Sequence, residues 1–550
     1  MKKLLLGIAG LVALTAALST RASDNNIDLG RNLTVLNSVV KELSTAYVDT
    51  IDGKKLMEFA IEAMLYQGTD PYTEYYPWGD QDEILSISEG SYAGIGSAIV
   101  KRGDAVYITG PYWDSPARAA GLLAGDRIIA VDGDTVRPST DVSDVSRRLR
   151  GQAGTTVSVD IARPYAADSL LTIEIVRRDI TVNPLPYYGR LDNGVGYILL
   201  EQFNESSARK VKAALIDLLA GGDLPGLILD LRSNGGGLLE GAVQIAGLFV
   251  PKGTEIVRTR GRDVRNERIY KTTETPIAPE LPLAILIDGR TASSSEILAG
   301  ALQDLDRAVI AGERSFGKGL VQTTRPLPFN GMLKLTTGRY YIPSGRLIQA
   351  IDYSHRNADG DGERVPDSLT NVFSTRAGRT VRDGGGISPD TTMASPAVSR
   401  FAYTLANEFR PFDFATRHYA ANPVAPAVDA VLVDSAMFVQ FKEMVDSAGF
   451  KYDRPYLNTI DAMRDAVRND GFLTDSIAAQ LDLLSQMLHQ DLNRDFDAHR
   501  DEIMELLETE LANRYFSEGD RVRHRLPSDT IVARTAALLL DVPEYRRILR

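Results

Sequence analysis

The chain has 550 residues, 44% of them hydrophobic and 24% charged, enough for about three or four globular domains. Its formal net charge of -12 and its lack of a long Lys/Arg run argue against nucleic acid as a partner. It contains no cysteine, which excludes disulfides, thiolate metal sites, a Cys nucleophile and a lipid-modified Cys, and which fits an oxidising compartment.

Lys2 and Lys3, the apolar run Leu4 to Leu18 and the small residues around Thr20-Arg21-Ala22 predict a signal peptide over residues 1–22, and hence an exported, periplasmic protein. The run is shorter than the roughly 20 residues that span a bilayer, so cleavage is expected; retention would leave the protein membrane-associated. Two amphipathic helices are predicted over 28–66, from Leu33, Leu36, Val39, Val40 and Leu43 and from Leu56, Phe59, Ala60 and Met64. They belong to an N-terminal helical region, 23–84. Residues 85–180 predict a small β-rich module: strands at Ile95 to Val100, Val106 to Thr109 and Arg127 to Val131, a helix carrying Val142, Val145 and Leu149, and two alternating strands at 157–161 and 173–175. From 181 to 395 the pattern changes to apolar strands alternating with helices, at Gly196 to Leu200, Gly226 to Leu231, Leu283 to Asp288 and Ala308 to Ala311, which predicts an α/β layer. Residues 396–550 read as helical, with Ile477, Leu481, Leu484, Leu488 and Leu492 marking a long helix that continues through Ile503, Leu507 and Leu511.

Three glycine- and serine-rich segments carry chemistry. After the strand ending near Asp288 comes Thr291-Ala292-Ser293-Ser294-Ser295-Glu296, then a helical pattern. A hydroxyl at such a turn sits beside unpaired helix N–H groups, which suits a nucleophile with a built-in oxyanion donor. It equally suits a helix cap, with Glu296 completing a capping box from Ser293. Asp230-Leu231-Arg232-Ser233-Asn234-Gly235-Gly236-Gly237 turns from a buried strand into a helix, and its glycines let backbone N–H groups face a ligand. Gly312 to Gln322 nearly spells a phosphate-binding loop, but Gly319 stands where Ser or Thr would hold magnesium and a strand follows instead of a helix. Lys318 therefore needs another task. An ammonium among glycines and apolar residues is costly to bury, and a lysine that gives up its proton can act as a base toward serine. None of the five histidines adjoins a Gly-rich turn. Asn357-Ala358-Asp359-Gly360-Asp361-Gly362 imitates the start of a calcium loop, yet Ser368 occupies the twelfth position, so a solvated surface loop is expected and no metal.

Taken together, these segments resemble the carboxyl-terminal processing peptidases, or tail-specific proteases, over roughly residues 30–395. The resemblance rests on Asp70-Pro71-Tyr72-Thr73-Glu74-Tyr75, Gly94-Ile95-Gly96, Ser115-Pro116-Ala117, Gly125-Asp126, Asp132-Gly133, Asp230-Leu231-Arg232 with Gly236-Gly237, Ala292 to Ile297, Phe316-Gly317-Lys318-Gly319 with Gln322, Tyr341 to Gln349, and Gly385-Gly386-Ile387 with Pro389-Asp390. It implies a multidomain α/β protein, with a PDZ domain inserted before a crotonase- and ClpP-like peptidase core and helical regions at both ends. Ser293 stands 25 residues before Lys318, the separation the family keeps between nucleophile and base. Gln322 matches the residue that positions the lysine, and Gly236 or Gly237 together with Ser294 would supply the oxyanion amides. Ser294 replaces the family's usual alanine, so its amide is expected to matter, and Gly235 replaces a proline, which leaves the second amide open between the two glycines. Tyr92-Ala93-Gly94-Ile95-Gly96 matches a carboxylate-binding loop, beside which an incoming peptide would add as a strand. The expected protein is a secreted serine endopeptidase without a cofactor, acting on protein or peptide substrates held by their C-termini. A homo-oligomer through the helical termini and a regulatory adaptor are compatible with that reading, and the rival is a non-catalytic, chaperone-like peptide binder.

Overall fold

The computed structural model describes residues 28–77, 91–166, 169–357, 362–394, 397–452, 454–488 and 491–550; the signal segment 1–22 and residues 358–361 of the acidic loop lie outside them. The chain divides into two compact units, one formed by residues 1–79 with 322–336, the other by 80–321 with 337–550.

In the first unit the two predicted helices form, over residues 28–46 and over Gly53–Gly68, the second capped by Asp52 accepting from the N–H groups of Lys54 and Lys55. Their apolar faces are not core: Leu33, Leu36, Val39, Phe59 and Met64 are exposed, and only Leu65 of the second helix is buried. A helical period reports the helix but not what covers its apolar side. The strand Glu74–Tyr76 follows and pairs antiparallel with Met332, Leu333 and Lys334.

The second unit opens with the β-rich module. Ser97–Arg102, Ala105–Pro111, Arg127–Val131, Thr156–Ala162 and Leu170–Val176 form an antiparallel sheet in that order, and Ser91–Gly94 pairs separately with Arg178–Thr181. Val157, Val159 and Ile161 alternate inward at 0% exposure, as their period of two requires, and pack with Val145 and Leu149 of the helix Val142–Leu149. The first strand of the sheet begins later than the apolar run Ile95 to Val100 suggests. Gly96 has φ +72, which interrupts the extended backbone, so 95–96 fall outside the strand and it starts at Ser97. Among the described residues this strand is an unpaired edge of its sheet.

The α/β layer is a six-stranded sheet in the order Tyr187–Arg190, Gly196–Leu199, Leu227–Asp230, Leu283–Ile287, Val309–Gly312, Thr391–Thr392, parallel except for its first pair. Ile198, Leu229 and Ile285 face the helices Ser207–Ala220, Leu239–Ala246 and Ser294–Asp304. Tyr197, Ile228, Ala284 and Leu286 face the other way, onto Ile531, Val532, Ala536, Leu539 and Tyr545. The last helices of the chain therefore form the second covering layer of the sheet, each large aliphatic side chain there contributing about 1.5–3 kcal/mol by burial. The remaining C-terminal helices have their own aromatic core around Phe401, Phe441 and Phe496. The long helix expected through Leu511 is instead three: Asp475–Met487, Leu492–Ala498 and Arg500–Tyr515. The first of the two breaks is built by Asp491, which accepts from the N–H groups of Asn493 and Arg494 and starts a new helix; the second falls at His499, whose φ -116 and ψ 25 leave the helical range. The β-rich module is tied to this region by a bidentate pair, Arg102 to Asp413, at 2.6 and 2.7 Å.

Candidate active site

Ser293 lies between the strand Leu283–Ile287 and the helix Ser294–Asp304, half-buried, with φ 56 and ψ -119. A non-glycine residue holds such angles only when its surroundings over-determine them. Here they do. Ala292 N donates to Asn234 O (3.0 Å), Thr291 Oγ1 to Leu231 O (2.9 Å), Ser293 N to Glu296 Oε2 (2.9 Å), and Ile297 N to Ser293 O (2.9 Å). Ser295 Oγ also bonds Asn234 O at 3.0 Å, so the serine turn and the glycine loop are fastened along their length. The Glu296 half of the expected capping box is present, but Ser293 itself is strained in a way that a mere cap does not require.

The glycine loop lies directly against this turn. A side-chain carbon on Gly236 would fall 2.7 Å from Ser293 Cβ and 2.9 Å from Ser294 N. The Gly236 N–H is already committed, donating to Asn234 Oδ1 at 2.9 Å. The N–H groups of Gly237 and Ser294 have no acceptor among the described residues. Gly237 has φ 136, and a Cβ there would sit 2.0 Å from Phe203 O, so no other residue fits. Ser294, expected to matter through its amide, also has a use for its hydroxyl: Oγ donates to Gly237 O at 2.7 Å. Ser294→Ala should therefore lower kcat about 3- to 10-fold with little change in KM, because one bond orienting the glycine peptide is lost. Wild-type kcat in that variant would show that the bond does not matter.

Lys318 sits half-buried in the loop entering the strand Leu320–Pro326. Its register is set by Glu296, which is wholly buried: Oε1 accepts from Ser315 Oγ and from Gly317 N (2.7 Å), and Oε2 from both Ser293 N and Lys318 N, each at 2.9 Å. Burial pushes this carboxyl up to about 7 against the opposing effect of its four donors. Tyr340 Oη makes a second link, donating to Ser293 O (3.2 Å) and to Lys318 O. Two of the predicted residues, Ser293 and Lys318, are thus brought together through a shared carboxylate oxygen and a shared phenol.

Gln322 belongs to the other compact unit. There its Nε2 donates to Thr336 Oγ1 (3.1 Å), which in turn donates to Asp70 Oδ1 (3.1 Å), while Thr336 N donates to Thr73 Oγ1 (3.2 Å). The Asp70-Pro71-Tyr72-Thr73 signature thus holds Thr336, the partner of the Gln322 amide. In the β-rich module, Tyr92, Ala93 and Gly94 lie in the strand paired with Arg178–Thr181, whereas the N–H groups of Ile95 and Gly96 have no acceptor among the described residues. Groups of His, Asp and Glu arranged to hold a metal ion do not occur among the described residues, and none of the described helices is long and apolar enough to cross a membrane. Glu296 was visible in the sequence only as a cap residue; Asn234 and Tyr340 gave no separate signal, since their roles depend on long-range pairing.

Residues 194–354 match the model of peptidase family S41, residues 107–163 that of a PDZ domain, and residues 401–539 that of a probable PDZ-protease C-terminal helical domain. Fold and matches together define a serine peptidase that carries a PDZ domain and a helical C-terminal domain. The chain is 37% identical over 346 residues to a carboxy-terminal-processing protease of Bartonella bacilliformis, covering 62% of this chain and 78% of that one. It is 34% identical over 329 residues to a chloroplastic C-terminal processing peptidase of Tetradesmus obliquus, covering 57% and 70%. A solved photosystem II D1 C-terminal processing protease is 28% identical, with 66% of this chain and 92% of that chain covered and a TM-score of 0.36. The chain belongs to the carboxy-terminal processing protease family.

Proposed function

We propose that the protein is an exported endopeptidase in which Ser293 is the nucleophile and Lys318 the general base, and which selects substrates by their C-terminal tails. The observation that carries the dyad is the carboxylate oxygen of Glu296 accepting from the N–H groups of both residues, which keeps the two main chains within a few ångström of each other. In the reaction, neutral Lys318 takes the proton of Ser293 as its oxygen attacks the scissile carbonyl, then returns it to the leaving amine. Gly237 N–H and Ser294 N–H receive the oxyanion, Gly236 being engaged with Asn234. Water attacks the acyl-enzyme in the second half and regenerates the serine. We assign export to the segment 1–22, followed by an N-terminal region to 84, the PDZ domain 85–180, the peptidase core 181–395 and the helical domain 396–550.

Tail recognition is supported by the open edge of Ser97–Arg102 and by the N–H groups of Ile95 and Gly96 at its head. A terminal carboxylate would accept from them while the peptide pairs along the strand. The test is one unfolded substrate made with a free and with an amidated C-terminus. Amidation removes the charge and one acceptor, so kcat/KM should fall about 10- to 100-fold. Equal cleavage of the two forms would reject recognition through this loop.

A further inference from the structure

The core strand Leu227–Asp230 ends on a carboxylate that is 1% exposed. Asp230 accepts from Tyr197 Oη (2.8 Å), from Arg232 N (3.0 Å) and from Arg232 Nη2 (2.6 Å), which fixes the turn that leads into the glycine loop. The guanidinium has a second partner. Arg232 Nη2 lies 2.7 Å from Oδ2 of Asp529, a residue 297 positions further along the chain. Asp529 also caps the helix Thr530–Leu540, accepting from the N–H groups of Ile531 and Val532 at 3.0 Å each. This is the helix that covers the outer face of the sheet.

A cap does not need a charge, since Asn and Ser cap as well as Asp. Charge balance does not need Asp529 either, since Asp230 already neutralises Arg232. What Asp529 adds is a second fixed point for the guanidinium, which is planar and holds two carboxylates at set angles. Immediately beyond Arg232 the chain must take φ 60 at Ser233, bond Ser233 N to Asp288 Oδ1 (2.9 Å), and present Asn234 to Leu200, Ala292, Ser295 and Gly236. Any rotation of the Arg232 turn is passed to those bonds and so to Gly237.

We propose that Asp529 is a positioning residue of the active site: the C-terminal helical domain grips Arg232 and thereby holds the loop Ser233 to Gly237 in register with Ser293. The proposal rests on the reading that Gly237 N–H receives the oxyanion, and it makes the last helices of the chain part of the catalytic apparatus.

Two substitutions in the full-length protein separate the two bonds of Asp529. Asp529→Asn keeps the helix cap and loses the charge; Asp529→Glu keeps the charge on a longer arm and weakens the cap. If Asp529 positions the loop, kcat follows the charge: about 10-fold lower in Asp529→Asn, and closer to wild type in Asp529→Glu. KM for a tail-bearing substrate and the affinity for a tail peptide should stay within about 2-fold in both. Inhibition by a peptidyl aldehyde, which places an oxyanion in the hole, should weaken in Asp529→Asn by about the same factor as kcat. The thermal midpoint should follow the cap instead, falling more in Asp529→Glu. Wild-type kcat in Asp529→Asn, or a kcat that ranks with the thermal midpoint across the variants, would overturn the proposal. Ser293→Ala serves as the control: if it stays active, the underlying assignment of the site has failed, and not this inference alone.

Discussion

Ser293→Ala and Lys318→Arg should each reduce cleavage by about four to six orders of magnitude while leaving the fold and tail binding intact. The alanine removes only the attacking oxygen. The arginine keeps length and positive charge, but a guanidinium does not give up its proton in a protein, so it cannot accept one from serine. Its planar head is also bulkier than an ammonium, and Lys318 sits in a loop whose neighbours leave little slack: Gly317 packs on Ala350, and Gly319 N donates to Gln349 Oε1 at 2.7 Å. The pair should be compared by kcat/KM on a tail-bearing substrate, with thermal melting and tail-peptide affinity as controls. The two losses should not add in the double variant, because nucleophile and base act in one step. Cleavage by Lys318→Arg within 100-fold of wild type would exclude the lysine as base.

The strand–turn–helix at 283–304 was legible because its parts are local: an apolar run, a turn of small residues, then a helical period. The choice between Gly236 and Gly237 was not. It turns on Asn234 Oδ1 occupying the first amide, which no spacing reports. The same holds for Asp529, whose partner lies 297 residues away. The N-terminal helices show the opposite limit. Their periodicity predicted the helices correctly, yet Leu33, Leu36 and Val39 face solvent. In the C-terminal region one continuous period concealed a break, because Asp491 reads as an ordinary surface residue until its bonds to Asn493 and Arg494 are seen. The Asp70 to Tyr75 signature was recognisable as a pattern, and its physical sense emerged only with Thr336, across 266 residues from Asp70.

Glu296→Gln should be the most damaging substitution outside the dyad, lowering kcat/KM by about 100-fold or more. The side chain is nearly isosteric, so the effect isolates hydrogen bonding from packing. A carboxylate offers two acceptor oxygens, and each of them takes two donors here: Ser315 Oγ and Gly317 N on one, Ser293 N and Lys318 N on the other. An amide has one acceptor oxygen and an NH2 group, which must face one of these donor pairs. If the NH2 takes the place of Oε2, the Ser293 and Lys318 N–H groups lose their shared acceptor; if it takes the place of Oε1, the Ser315 and Gly317 donors do. Two buried donors left without partners cost about 1–3 kcal/mol each, enough to let the serine turn and the lysine loop separate. Stability adds an independent check through pH. The folded carboxyl is raised from its ordinary 4.5 to about 7, so protonated Glu296 is favoured by folding. Its contribution to stability is full below about pH 4.5 and is lost as pH rises through about 7. Glutamine does not titrate, so the thermal midpoint of Glu296→Gln should lie further below wild type near pH 5 than near pH 8. Melting curves of the two proteins across that range decide it: a gap that is constant, or that widens with rising pH, would mean that Glu296 does not carry the raised carboxyl, while unchanged kcat/KM would remove it from the alignment of Ser293 with Lys318.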